Sequence, residues 1–179
     1  MKKIALFVMA LMMTVAAHAQ FEQGKFYMGA SLSGLDFSYN GNQKGKFAFQ
    51  SRVGYLVLDD VMFTAQLGYE KQNSLPHQLQ AGIGARYYIE QNGLYLGASA
   101  IYKHNGDYYK YANGSNQHFS GYKDLLPSVQ VGYAFFVSRT VTIEPELYYE
   151  QSFKNHSDYS TVGFRLGVGV YLFKDKTQN

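Results

Sequence analysis

Most of the chain alternates apolar residues with polar or small ones at a period of two. Phe26, Met28, Ala30 and Leu32 open the series. In the next segment Phe47, Phe49, Ser51, Val53, Tyr55 and Val57 alternate with Ala48, Gln50, Arg52, Gly54 and Leu56. Val61, Phe63, Ala65, Leu67 and Tyr69 then oppose Met62, Thr64, Gln66, Gly68 and Glu70. The same rhythm returns in 79–89, 94–103, 129–135, 141–149 and 162–170. Successive side chains of a strand point to opposite faces, so each segment has one greasy face and one polar or small face. The pattern predicts about eight strands of about ten residues, the length of a tilted strand that crosses a bilayer.

Connections fall near 38–45, 58–60, 71–77, 90–93, 104–119, 137–140 and 151–158. Long ones and short ones alternate, as in a transmembrane barrel with short periplasmic turns and longer outer loops. With the N-terminus in the periplasm, the long connections face outward. The segment Val61–Glu70 also aligns with Val141–Glu150, and Val53-Gly54-Tyr55 precedes the first as Val131-Gly132-Tyr133 precedes the second. This reads as one strand–turn–strand solution used twice. Two positions break the rhythm. Pro145 sits in mid-strand, where it cannot donate to a ladder, so a bulge or a missing hydrogen bond is expected. Tyr171 and Phe173 fall out of phase with Val168, Val170 and Leu172.

The N-terminus changes the setting. Lys2 and Lys3, an apolar run from Ile4 to Ala17 and the small-residue site Ala17-His18-Ala19 have the make-up of a cleaved secretory signal peptide over residues 1–19. No later apolar run is long enough for a transmembrane helix. Only helices and closed barrels satisfy their backbone in lipid, so a membrane location requires a closed barrel over 20–173, with 174–179 as a short tail. Composition agrees: 17 Tyr, 13 Phe and 18 Gly accompany only 3 Pro, and charged residues make up 16%, against about 25% in soluble domains. Tyrosine suits the membrane–water interface, and glycine suits crowded barrel interiors. With no cysteine, disulfide and thiol chemistry are excluded. The net charge of +3 includes the two signal lysines and argues for no nucleic-acid partner.

The signal peptide, the Val53-Gly54-Tyr55…Asp59-Asp60…Leu67-Gly68-Tyr69 hairpin and the terminal Gly169-Val170-Tyr171-Leu172-Phe173 resemble the small OmpA-like or OmpX-like outer-membrane barrels. The resemblance spans the mature chain without the peptidoglycan-binding domain that often follows such barrels. It implies an all-β, eight-stranded, antiparallel, up-and-down transmembrane barrel in the outer membrane. It further implies contact with outer-membrane lipid and lipopolysaccharide, and handling by the barrel-assembly machinery, although Lys174–Asn179 follow the terminal aromatic Phe173.

If the greasy face meets lipid, the other face lines the lumen. Arg52, Arg86, Lys103 and Arg165 then share it with Glu70, Glu144 and Glu146. Eight strands leave room only for side chains, and buried charges must pair. A cross-lumen network is expected, centred on Arg86, Arg165, Glu144 and Glu146, which either plugs the barrel or gates a narrow pore. In the longest loop, Tyr108, Tyr109 and Tyr111 with Lys110, Asn113 and Gly114 offer an adaptable surface for a ligand or host protein, or extend the strand pair as an aromatic girdle. His118-Phe119-Ser120, with Asp124 in phase, is similar to the His-x-Ser pair of lipid A deacylases. His77, His104, His118 and His156, with Asp107 and Asp158, gather near the outer loops without the close spacing of a metal site. No cofactor is expected. The functional expectation is a structural or surface-interaction protein. A narrow pore, a lipid-modifying enzyme and a soluble lipocalin-like carrier are the alternatives.

Overall fold

The computed structural model describes residues 21–33, 46–72, 78–105, 108–112, 115–119, 123–153 and 160–172. The expected signal peptide and C-terminal tail lie outside them. The strands are β1 (Phe26–Ser33), β2 (Lys46–Leu58), β3 (Val61–Gln72), β4 (Gln78–Tyr88), β5 (Leu94–Asn105), β6 (Tyr108–Ala112), β7 (Ser115–Phe119), β8 (Lys123–Tyr133), β9 (Phe135–Phe136), β10 (Val141–Glu150) and β11 (Thr161–Leu172). The main sheet runs β11-β1-β2-β3-β4-β5-β8-β10-β9, and a β10–β11 pairing closes it. Strands β8 and β9 are one stave interrupted at Ala134, so the result is an antiparallel barrel of eight staves. β6 and β7 form a separate hairpin within the connection from β5 to β8. Among the described residues no helix is long and apolar enough to cross a membrane.

Alternation decides which face points inward. Along β8 and β11 buried and exposed residues alternate almost strictly. Large apolar side chains such as Phe63, Leu67 and Ile83, the last 70% exposed, form the outer surface. The buried set is mostly polar or aromatic, including Arg86, Glu146, Tyr88, Tyr95 and Tyr171. A soluble lipocalin-like barrel would carry the opposite polarity.

The barrel has a turn end and a loop end. At the turn end, β2 and β3 join through residues 59–60, with a register shift between Leu56 and Leu58 and Asp60 at φ 65°. Aspartate is among the few side chains that tolerate this left-handed region. The β4–β5 turn closes with Ile89 N–H on Leu94 O at 2.8 Å and Leu94 N–H on Asn92 Oδ1 at 2.8 Å. The β9–β10 turn is held by Ser138 Oγ, which accepts from Val141 N–H at 3.0 Å. Residues 21–25 fold over this same end. Asp60 N–H donates to Phe21 O at 2.9 Å and Gly24 N–H to Leu56 O at 2.8 Å. The Phe21 ring stacks on Tyr88 at 3.8 Å and meets Phe136 and Tyr171 edge-on.

Several expectations need correction. β3 runs to Gln72, past its apolar pattern, and β4 keeps its length but starts and ends one residue earlier, so the connection 73–77 is no longer than 89–93, and the strict alternation of lengths fails there. The stave expected from residue 129 begins at Lys123 and includes Pro127. At Pro145 the expected alternatives resolve as lapsed pairing rather than a bulge: Ile143 pairs with Phe135 and Glu146 with Gly132 in one register, and the β8–β9 ladder skips 144 and 145 between them. Tyr171 is opposite in phase to Val168, Val170 and Leu172, as the spacing indicates, and that phase is the inward one: Tyr171 is fully buried and leaves the strand regular. Tyr27, Tyr88, Tyr95 and Tyr148 are inside as well, so much of the tyrosine fills the lumen rather than an interface. Glycine makes this possible: a Cβ on Gly132 would collide with the Tyr95 hydroxyl, and one on Gly163 with the Tyr148 ring.

Candidate functional site

The lumen centres on Glu146, which β10 presents inward at 2% exposure. Its carboxylate accepts from Arg52 Nη1 at 3.1 Å, Arg86 Nη2 at 2.8 Å, Arg165 Nη1 at 2.8 Å and the Tyr95 hydroxyl at 3.0 Å. Glu144, two residues earlier on the same face, accepts from Arg86 Nη1 at 2.9 Å, the Tyr27 hydroxyl at 2.8 Å and Thr142 Oγ1 at 2.8 Å. Arg86 thus bridges both carboxylates, with its guanidinium 4.2 Å from the Tyr95 ring centroid. Such bridging donor–acceptor geometry satisfies several hydrogen-bonding positions of buried charges, which is the condition under which they are tolerated.

Toward the loop end the chain of charges continues. Arg165 Nη2 lies 3.7 Å from Glu150, and Lys103 Nζ lies 2.5 Å from the same carboxylate. Arg52 also reaches Gln66 Oε1 at 3.2 Å. Buried Asp124 accepts from Ser152 Oγ at 2.6 Å. Toward the turn end the lumen turns aromatic. Tyr88 and Tyr171 share a hydrogen bond at 2.8 Å beneath the Phe21 ring. The void among Tyr27, Arg52, Arg86, Glu144, Glu146 and Arg165 is about 10 Å³, about the least that can hold one water.

The structure therefore brings together Arg52, Arg86, Arg165, Glu144 and Glu146. Glu70 is buried on the same inner face, and ion pairs of the three arginines run to Glu144, Glu146 and Glu150. Sequence reasoning missed Glu150, although it continues the inward phase of Glu144, Glu146 and Tyr148. It missed Tyr27 and Tyr95 because tyrosine was assigned to interfaces.

In the long connection, Tyr108 pairs with Phe119, Tyr109 with His118 and Tyr111 with Asn116 across the β6–β7 hairpin. Ser120, and likewise His77, His156, Asp107, Asp158, Asn113 and Gly114, lie outside the described residues. His104 is exposed on the outer wall beside Lys123. Among the described residues, no three metal-ligating side chains converge.

A closed barrel with an apolar outer wall and a charge-paired interior defines a transmembrane β-barrel. Solved structures share that fold. The N-terminal β-barrel domain of OprF from Pseudomonas aeruginosa matches at 16% identity over 84% of this chain and 98% of that one, with a TM-score of 0.58. Neisserial surface protein A matches at 18% identity over 83% of this chain and 97% of that one, with a TM-score of 0.57. Ail, the attachment invasion locus protein of Yersinia pestis, in complex with the heparin analogue sucrose octasulfate, matches at 15% identity over 84% and 99%, with a TM-score of 0.51. The fold is that of the small outer-membrane barrels. No protein-family model matches the chain, and no curated protein sequence does.

Proposed function

We propose that this chain is an outer-membrane barrel whose lumen is closed by its own side chains and whose loop end is a recognition surface facing outward. The observation that carries this reading is the Glu146 hub, where three guanidinium groups and a tyrosine hydroxyl converge on one carboxylate beside a void of about 10 Å³. A lumen filled in this way leaves the loops as the working surface. The β6–β7 hairpin, the largest elaboration of the loop end among the described residues, is its leading element. That Ail was crystallised in complex with a heparin analogue supports reading a barrel of this fold as a ligand binder. Planar-bilayer recording of the reconstituted, heat-modifiable barrel tests closure. The expected result is a flat baseline, and steady unitary steps would overturn it.

One observation favours a narrow pore as a second reading. Both amide atoms of buried Gln50, the Nε2 of Gln66 and the Oγ of Ser99 have no protein partner. Buried polar groups of this kind are satisfied by water, which supports a hydrated stretch between the hub and the loop end. Conducting steps abolished by Gln50→Leu would favour this reading.

A further inference from the structure

The turn end of the lumen holds a connected set of phenol rings. The Tyr88 ring centroid lies 5.5 Å from that of Tyr95 and 6.5 Å from that of Tyr171, and Tyr171 lies 5.0 Å from Tyr27. Tyr27 and Tyr95 direct their hydroxyls to the carboxylates of Glu144 and Glu146. Tyr88 and Tyr171 instead meet head to head, both fully buried, with their hydroxyls 2.8 Å apart. That contact brings the ring carbons next to each oxygen close to one another. The two residues are 83 positions apart in sequence. Their strands, β4 and β11, stand four staves apart in the closed order, so the contact joins opposite walls. The chain has no cysteine and no tryptophan. Without thiol or indole, a phenol is the side chain that most readily gives up a single electron, whereas methionine reacts by taking up oxygen at its sulfur.

We propose that Tyr88 and Tyr171 form an oxidative cross-linking site, where a one-electron oxidant outside the barrel converts the pair into dityrosine. Tyr87, next to Tyr88 in sequence, faces outward and is 52% exposed, so the oxidant meets a phenol it can reach and the electron vacancy passes inward. Each ring of the buried pair gives one electron to the oxidant and its hydroxyl proton to the surroundings. Glu144, whose Oε1 accepts from the Tyr171 hydroxyl at 3.5 Å, is the near acceptor on the way to solvent. The two phenoxyl radicals then join through the carbons next to oxygen. One C–C bond forms, and the hydrogens on those carbons move to the oxygens and restore both hydroxyls. The balance is two electrons and two protons lost. The product closes a long loop of chain, the kind of link that restricts an unfolded chain most. It staples the turn end in a protein that can form no disulfide.

The test oxidises the full barrel, held one per phosphatidylcholine nanodisc so that copies cannot couple, with photogenerated tris(bipyridine)ruthenium(III). The expected product has lost the mass of two hydrogen atoms. Its digest contains a linked peptide pair carrying Tyr88 and Tyr171, and on a detergent gel the linked chain still runs fast after boiling. The same chain boiled in detergent before oxidation is expected to give that peptide pair at about a tenth of the yield or less, because the two rings are then held together only by chance. Tyr88→Phe and Tyr171→Phe each keep the ring and remove the phenol. Each is first checked for its mobility shift on boiling, and each is expected to abolish the linked peptide and return the boiled chain to the slow band. Links confined to other tyrosines overturn the site. So does an equal yield from the boiled chain, or a fast band that survives either substitution. Where a variant fails to shift on boiling, the peptide map of the wild-type barrel decides by itself.

Discussion

At the scale of single residues, the lumen depends most on Glu146, because three arginines share its two oxygens. Removing one member of a buried charge cluster leaves the others uncompensated. Glu146→Gln is therefore expected to cost about 3 kcal/mol in urea unfolding from lipid vesicles, and an unchanged midpoint would show that the cluster is not buried. Glu150 could have been read from the sequence, since it keeps the inward phase of Glu144 and Glu146. The roles of Tyr27 and Tyr95 could not, because an inward tyrosine needs an opposing glycine, and strand register alone reveals that pairing. Asp60 is a different case. Burial first, and then the neighbouring Asp59, push its carboxyl above the usual carboxylate range. The fold thus favours the protonated form. That contribution is full at low pH and is lost as pH rises through the raised value. Asp60→Asn, which still tolerates the left-handed turn, is expected to stabilise the barrel at pH 7 by less than about 1 kcal/mol, since the site is partly solvent-screened. At pH 3 the two forms should unfold together.

At the scale of elements, alternation located the staves, but their ends were set by pairing. β3 reaches Gln72 and β8 begins at Lys123 because the neighbouring strands continue to offer hydrogen bonds; Lys71 and Pro127 carry no apolar signal that would announce this. Pro145 shows how a closed sheet accommodates a missing donor: pairing lapses between Ile143 and Glu146 on the β8–β9 side, while β10 remains paired with β11 throughout. Pro145→Val is expected to restore one ladder bond and stabilise by about 1 kcal/mol, read as slower amide exchange along 133–136. The β6–β7 hairpin pairs only with itself. Replacing 108–119 with a short Gly-Ser turn is expected to leave the heat-dependent gel shift intact and to abolish binding of any surface ligand. Loss of the gel shift would make the hairpin part of the barrel.

At the scale of the whole molecule, the internal repeat acquires a geometric meaning. β3 and β10, its two copies, stand four staves apart in the closed order, on opposite walls, and Arg52 spans them by binding Gln66 on one and Glu146 on the other. The repeat was visible in the sequence, but its placement across the lumen required the closure of β1 on β11, a contact between the two ends of the chain. The same closure bears on timing. Phe21, at the head of the described chain, rests on Tyr88, Phe136 and Tyr171, so its seat is complete only when the last strand has arrived. Contacts this distant in sequence slow folding, because the loop entropy is lost before the contact forms. The head of the chain must therefore wait for its tail, and a protease that cuts near residue 21 in a pulse-chase experiment would record the moment at which the barrel shuts.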